Sequence, residues 1–145
     1  MDAKVRAEGV ADGRLRYTLG KERRICLRRD KDVLFREGVR MFAFPYRSVV
    51  YAHGGTEAGC RLLAIVPKRV CRLAVTRNTQ RRHIRELFRV ESAALNAHCK
   101  RQGVVLDVAV IVVSDEEVRL ERAQRSMRKI LSHAEQEVKR RAQDA

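Results

Sequence analysis

Val104 to Val113 form an almost unbroken apolar run, interrupted only by Asp107. A strand of this composition is buried on both faces, so the sheet that holds it needs layers on each side. The segment before it, from Thr76 to about Ala97, switches to a helical period, with Asn78 or Thr76 as its cap. Before that helix, Arg61-Leu62-Leu63-Ala64-Ile65-Val66 reads as a strand stopped by Pro67. Strand, helix and strand in that order predict a parallel crossover.

The rest of the chain fills in around this unit. Asp30 caps a short predicted helix, Lys31 to Glu37, that ends at Gly38. Arg47 to Ala52 is a strand bounded by His53-Gly54-Gly55, and it is expected to pair antiparallel with Arg61–Val66. A further strand is possible around Met41–Phe44, where Pro45 disfavours helix. Ser114 or Asp115 caps a last helix whose apolar stripe runs Leu120, Met127, Ile130, Leu131, Ala134 and Val138. The expected fold is α+β, in α-β-β-(β)-α-β-α order, a single-layer sheet of about four strands with helices packed on it. Residues 1–16 read as a flexible N-terminal arm, 17–135 as one domain, and 136–145 as a polar tail that frays from Lys139.

No apolar run approaches the roughly 20 residues of a membrane span, and no secretion signal opens the chain, so the protein is expected to be soluble and cytoplasmic. The formal charge is +14 over 145 residues. That excess is concentrated: residues 61–89 carry 9 basic groups and 1 acidic group, against 10 and 9 in residues 90–145. A uniform solubilising coat has no reason to cluster so, whereas a polyanion-binding footprint does.

Within that stretch the helical wheel separates two arcs. Counting from Arg77, Arg81, Arg85, Arg89 and Arg82 fall at about 40°, 80°, 120° and 140°, while Ile84, Leu87, Phe88 and Leu95 occupy the adjoining arc. One face docks on the sheet and its neighbour presents a row of guanidiniums. The i,i+4 pairs Arg77/Arg81, Arg81/Arg85 and Arg85/Arg89 repel one another, a local defect that phosphates would relieve. Guanidinium also matches phosphate oxygens as a planar fork, which an ammonium does not. The bland alternative is a solvated basic face whose Arg stems cover apolar surface. No DNA-recognition helix pair, zinc finger or basic zipper appears, so RNA is favoured over DNA, with Tyr51 and Phe35 read either as aromatic surfaces for single-stranded nucleotides or as core residues.

Residues for protein-borne chemistry are sparse. Cys26, Cys60, Cys71 and Cys99 lack the spacing of a zinc knuckle and read as free thiols, mostly buried. A nucleophilic Cys71–His83 pair has no local support, and Asp115-Glu116-Glu117 reads as an acidic helix start.

Ala74-Val75-Thr76-Arg77-Asn78-Thr79-Gln80-Arg81-Arg82-His83-Ile84-Arg85-Glu86-Leu87-Phe88-Arg89 resembles the RNR signature of the bacterial ribonuclease P protein subunit. Val66-Pro67-Lys68-Arg69 is similar to that family's V-S-K-K element, and Leu19 to Arg24, Asp30, Phe35 and Gly38 to its first segment and helix. Pro67 replaces the usual serine, Lys31 stands where an aromatic is common, and Cys71-Arg72-Leu73 lacks the glycine often found before the signature. The resemblance implies a ribosomal-protein-like sandwich with a crossover arginine-rich helix. It further implies the small subunit of a ribonucleoprotein endonuclease that removes 5′ leaders from precursor tRNA. Arg77, Asn78, Arg81, Arg82, Arg85 and Arg89, with Lys68 and Arg69 beside them, would face the catalytic RNA. Phe35 and Tyr51 would line the leader cleft. The chemistry and its Mg²⁺ would belong mainly to the RNA, with no catalytic residue in the protein, no membrane partner and no obligate protein partner. The alternative is a ribosomal-type RNA-binding protein or RNA chaperone with no part in cleavage.

Overall fold

A computed structural model describes residues 19–144; the arm at 1–16 lies outside them. A short 3₁₀ turn, Lys21–Arg23, leads to helix α1 (Arg28–Glu37) and strands β1 (Val39–Ala43), β2 (Tyr46–Gly54) and β3 (Gly59–Ile65). Helices α2 (Ala74–Glu91) and α3 (Ala93–Gln102), strand β4 (Val104–Val112) and helix α4 (Leu120–Asp144) follow. The four strands form one sheet in the order β1-β2-β4-β3.

β4 is a central strand, as its composition requires. Its Leu106, Val108, Val110 and Val112 face a core built with α2, α3 and α4, where Ile84, Phe88, Met127, Ile130, Ala134 and Val138 are fully buried. Ala109 on the opposite face meets Ile25, Val49 and Leu34 of α1. β3 pairs with β4 in parallel, as the strand–helix–strand order predicts. The expected antiparallel pairing of β2 with β3 does not occur: β4 lies between them, antiparallel to β2. Their relative direction is as expected, but the most apolar strand takes the doubly flanked position. The short connection after Gly54 therefore spans the end of an intervening strand instead of closing a hairpin. The tight hairpin is instead β1–β2, turning at Phe44-Pro45 across a cis peptide bond.

Helix boundaries depart from local cap signals in four places. The single helix expected over Thr76–Ala97 is two, broken at Ser92 (φ −94°, ψ 1°). Ser92 donates its hydroxyl back to the Phe88 carbonyl, in competition with the helical ladder, and accepts a hydrogen bond from the buried Arg23 guanidinium at 2.7 Å. Leu95, placed on the α2 wheel, is buried from α3 instead. α2 starts three residues before Arg77, so neither Thr76 nor Asn78 caps it; the capping residue is Leu73. Likewise Leu27 rather than Asp30 precedes α1, with Asp30 inside its first turn. The last helix begins at Leu120 instead of after Ser114 or Asp115, and it continues through Asp144, so residues expected as a fraying tail belong to α4.

Gly38 ends α1 in an extended conformation (φ −75°), so no left-handed turn requires glycine there. Space does: a Cβ would lie 2.5 Å from the Leu34 carbonyl oxygen and closer still to Val49 Cγ1. Gly38→Ala is expected to cost about 1–3 kcal/mol by overpacking the α1–β2 contact, measured by urea denaturation. A variant as stable as the parent would show that α1 can shift freely.

Candidate RNA-binding face and leader cleft

The arginine row becomes a surface feature once α2 is seated. Ile84, Leu87 and Phe88 bury its inner face, and the neighbouring face borders an open groove of about 640 Å³. Arg81, Arg82, Arg85 and Arg89 line that groove with Asn78, Glu86 and Leu19, and Arg24 joins from the segment before α1. Five guanidiniums thus converge. Arg81 is steadied by the Asn78 side-chain oxygen at 3.0 Å. Arg89 pairs with Glu86 at 3.0 Å. Arg24, Arg81, Arg82 and Arg85 form no ion pair with a carboxylate among the described residues.

Arg24 is a residue that a helical wheel of α2 cannot contain. Its neighbour Arg23 turns inward, donating to the Cys60 carbonyl at 3.0 Å and lying 5.4 Å from the Phe88 ring centroid. A backbone bond from Ile25 to the Leu62 carbonyl (2.9 Å) fixes the segment along β3. Arg24, alternating outward, is thereby aimed into the groove. The sequence signal is a basic run, Arg23-Arg24, but which of the two faces outward is a tertiary fact.

Not every expected contact residue lines the groove. Arg77 donates to the carbonyls of Cys71 (3.1 Å) and Arg72 (2.7 Å), clamping the chain that precedes α2. Lys68 and Arg69 are exposed in the turn after β3, outside the groove lining. That turn is closed by the Pro67 carbonyl, which accepts from Val70 and Cys71.

The second site lies across the sheet, on the face that carries α1. Phe35 and Tyr51 are half-buried there, packed around Ile25, Leu34, Val49 and Ala109, with Leu63 and Ile111 beside them. Phe42 of β1 pairs in register with Arg47, two residues from Val49 along β2, so it shares this face, and it is 62% exposed. Sequence reasoning assigns this aromatic no role; alternation along β1 is the signal that places it. At one end of this face, Asp107, its side chain 2% exposed, accepts from Arg61 Nε (2.7 Å) and Nη2 (2.9 Å) and contacts His53 Nε2 at 3.1 Å. Arg61 also reaches Asp30 of α1 at 3.4 Å. Burial alone would raise the Asp107 carboxyl; hydrogen bonds from His53 and Arg61 outweigh it and hold the group below the usual carboxylate range. The bond to Asp107 raises His53 above the usual imidazole range.

Cys26 is exposed and the other three cysteines are buried. Cys60 and Cys99 are buried thiols, and burial pushes Cys99 up to about 12, far from a reactive thiolate. Cys71 is buried in the core while His83 is exposed on a separate cleft, so the two do not pair. Asp115, Glu116 and Glu117 are not at a helix start; they stand in the loop before α4. Among the described residues, no three His, Cys, Asp or Glu side chains are placed to hold a metal ion. Nor is any described helix long and apolar enough to cross a membrane.

A four-stranded mixed sheet, helices on both faces and a guanidinium-lined groove define the class, an α+β protein with a strongly basic groove. Residues 19–135 match the ribonuclease P family, and the chain belongs to that family. It is 33% identical over 117 residues to the ribonuclease P protein component of Porphyromonas gingivalis, in two strains, covering 79% of this chain and 85% of the relative. The fold is similar to the Staphylococcus aureus RNase P protein, with a TM-score of 0.55 and 28% identity, covering 77% of this chain and 94% of that one. It is also similar to a mutant of that protein with defective mRNA degradation activity, with a TM-score of 0.57 and 25% identity, covering 79% and 89%.

Proposed function

We propose that this chain is the protein subunit of a ribonucleoprotein ribonuclease P that removes 5′ leaders from precursor tRNA. The observation that carries this reading is the groove: five guanidiniums on a rigid, core-backed helix and its neighbouring segment, four of them without a carboxylate partner among the described residues. Such a surface lowers phosphate repulsion where RNA strands approach, and release of counterions drives binding. In this reading Arg81, Arg82, Arg85, Arg89, Asn78 and Arg24 hold the catalytic RNA. Lys68 and Arg69 extend the basic surface at its edge, and Arg77 fixes the start of the helix that carries it. Phe35 and Tyr51, with Phe42, supply stacking surface for the leader on the opposite face of the sheet. The protein positions and the RNA cleaves: Mg²⁺, held mainly by the RNA, supplies the hydrolytic chemistry. Holding the leader in place orients the scissile phosphate, a proximity effect.

Reconstitution tests this directly. The purified chain is mixed with bacterial ribonuclease P RNA at Mg²⁺ too low for the RNA alone, and leader release is followed. Cleavage that needs both components is expected. RNA binding without any gain in cleavage would favour a ribosomal-type protein or chaperone. Cleavage by the protein alone would mean a conventional nuclease.

A further inference from the structure

Asp107 stands in register with Tyr51 of β2 and Arg61 of β3, so its carboxylate sits between neighbouring strands. His53, two residues beyond Tyr51 on the same face, is 29% exposed and its ring stacks on the Tyr51 ring at a centroid distance of 5.1 Å and 21° between planes. Each of its nitrogens faces an oxygen that only accepts. Nε2 is 3.1 Å from Asp107 Oδ2, and Nδ1 is 3.1 Å from the Gly54 carbonyl oxygen. A neutral imidazole has one N–H and would set a lone pair against one of these acceptors; the imidazolium satisfies both. Charge points the same way. Asp107 and Asp30 are two anions with one cation, Arg61, between them, and the cluster is neutral only when His53 is protonated. The groups facing His53 are Asp107 from β4, Arg61 from β3 and Tyr51 from its own strand, with Asp30 of α1 behind Arg61.

We propose that His53, as an imidazolium stacked on Tyr51, is a specificity-determining residue of the leader cleft that makes binding of the precursor's single-stranded 5′ extension depend on pH. This inference rests on the assignment of that cleft to the leader. The two N–H groups are committed to Asp107 and Gly54, so the ring contributes position and charge, not a new hydrogen bond to RNA. It backs the Tyr51 ring and places one positive charge beside the path of the leader phosphates. On deprotonation that charge disappears, and the Nδ1 lone pair opposes the Gly54 carbonyl and loosens the stack. A guanidinium is a fixed charge across the imidazole range, so docking of the catalytic RNA on the α2 groove does not share this dependence.

The test uses the reconstituted holoenzyme at fixed ionic strength. Affinity for a precursor tRNA with a short unstructured leader is divided by affinity for the mature tRNA, from pH 6 to pH 9. The ratio is expected to fall about three- to fivefold as pH rises, the size of one partly exposed charge interaction. Its midpoint should coincide with the His53 ring titration followed by NMR in the full chain. His53→Gln should give a ratio fixed near the high-pH value, with unchanged affinity for the catalytic RNA. A precursor preference that is flat with pH, or that keeps its pH profile in His53→Gln, overturns the inference while leaving the leader cleft intact. An NMR midpoint far from that of the ratio overturns it too, and needs no variant. If precursor is bound no better than mature tRNA at any pH, and Tyr51→Ala changes nothing, the leader assignment fails and the inference falls with it.

Discussion

Replacing Arg81 and Arg85 together by alanine is expected to weaken binding to ribonuclease P RNA by about a hundredfold with almost no change in thermal stability. Each guanidinium–phosphate interaction is a charge-assisted hydrogen bond worth about 1.5 kcal/mol, and removing two corresponds to roughly two decades in affinity. Folding has little to lose. Arg85 is exposed and Arg81 half-buried, and the bond that steadies Arg81 runs only to Asn78 on the same helix. Alanine is the best helix former, and the double change removes three repulsive i,i+4 pairs worth a few tenths of a kcal/mol each. RNA titration and a thermal melt on the same preparation check both halves. Equal losses of stability and binding would mean that these side chains hold the fold instead of meeting RNA.

Asp107→Ala is expected to have the opposite profile, a loss of about 3–5 kcal/mol in folding stability, because it leaves Arg61 and His53 facing a partly buried site without their anion. With a typical domain stable by roughly 5–15 kcal/mol, that is a large fraction of the total. The pH dependence fixes the mechanism. The carboxyl of Asp107 lies below its usual range in the folded state, so its contribution is present above the ordinary carboxylate range and is lost as pH falls through the depressed folded value. His53 is raised, so its contribution is full below the ordinary imidazole range and is lost as pH rises through the folded value. The gap between parent and variant in urea denaturation should therefore be widest between those two limits and narrow toward both acid and base. A gap independent of pH would mean that Asp107 acts through packing alone.

What the sequence discloses and what it conceals divide along physical lines. Period and composition are local, so β4, the Ile84, Leu87 and Phe88 face of α2 and the α4 stripe from Met127 to Val138 are legible, whereas Leu120, expected in that stripe, is 62% exposed. Strand order is not local: nothing within Arg47–Ala52 or Arg61–Val66 says that a strand beginning at Val104 will separate them. At the break between α2 and α3 the Ser92 hydroxyl accepts from Arg23, sixty-nine positions away, and no helical wheel contains that residue. The start of α2 shows a local cap signal overridden: the helix begins at Ala74, so Thr76 and Asn78 lie inside it, and the Arg77 side chain fixes the preceding chain by donating to the carbonyls of Cys71 and Arg72. The site follows the same division. The guanidinium row is legible because one helix carries it, whereas Arg24 and Phe42 join through tertiary placement. Asp107 shows in the sequence only as an interruption of an apolar run; its partners His53 and Arg61 lie 54 and 46 positions upstream.

The salt dependence of binding to the catalytic RNA isolates the groove from the rest of the surface. Removing one guanidinium that neutralises a phosphate should flatten the slope of log affinity against log salt by about 0.7–0.9. Arg81→Ala with Arg85→Ala should thus reduce the slope by about 1.4–1.8 relative to the parent, while Tyr51→Ala leaves it unchanged. Identical slopes for the parent and the double arginine variant would contradict the assignment of this groove to the RNA.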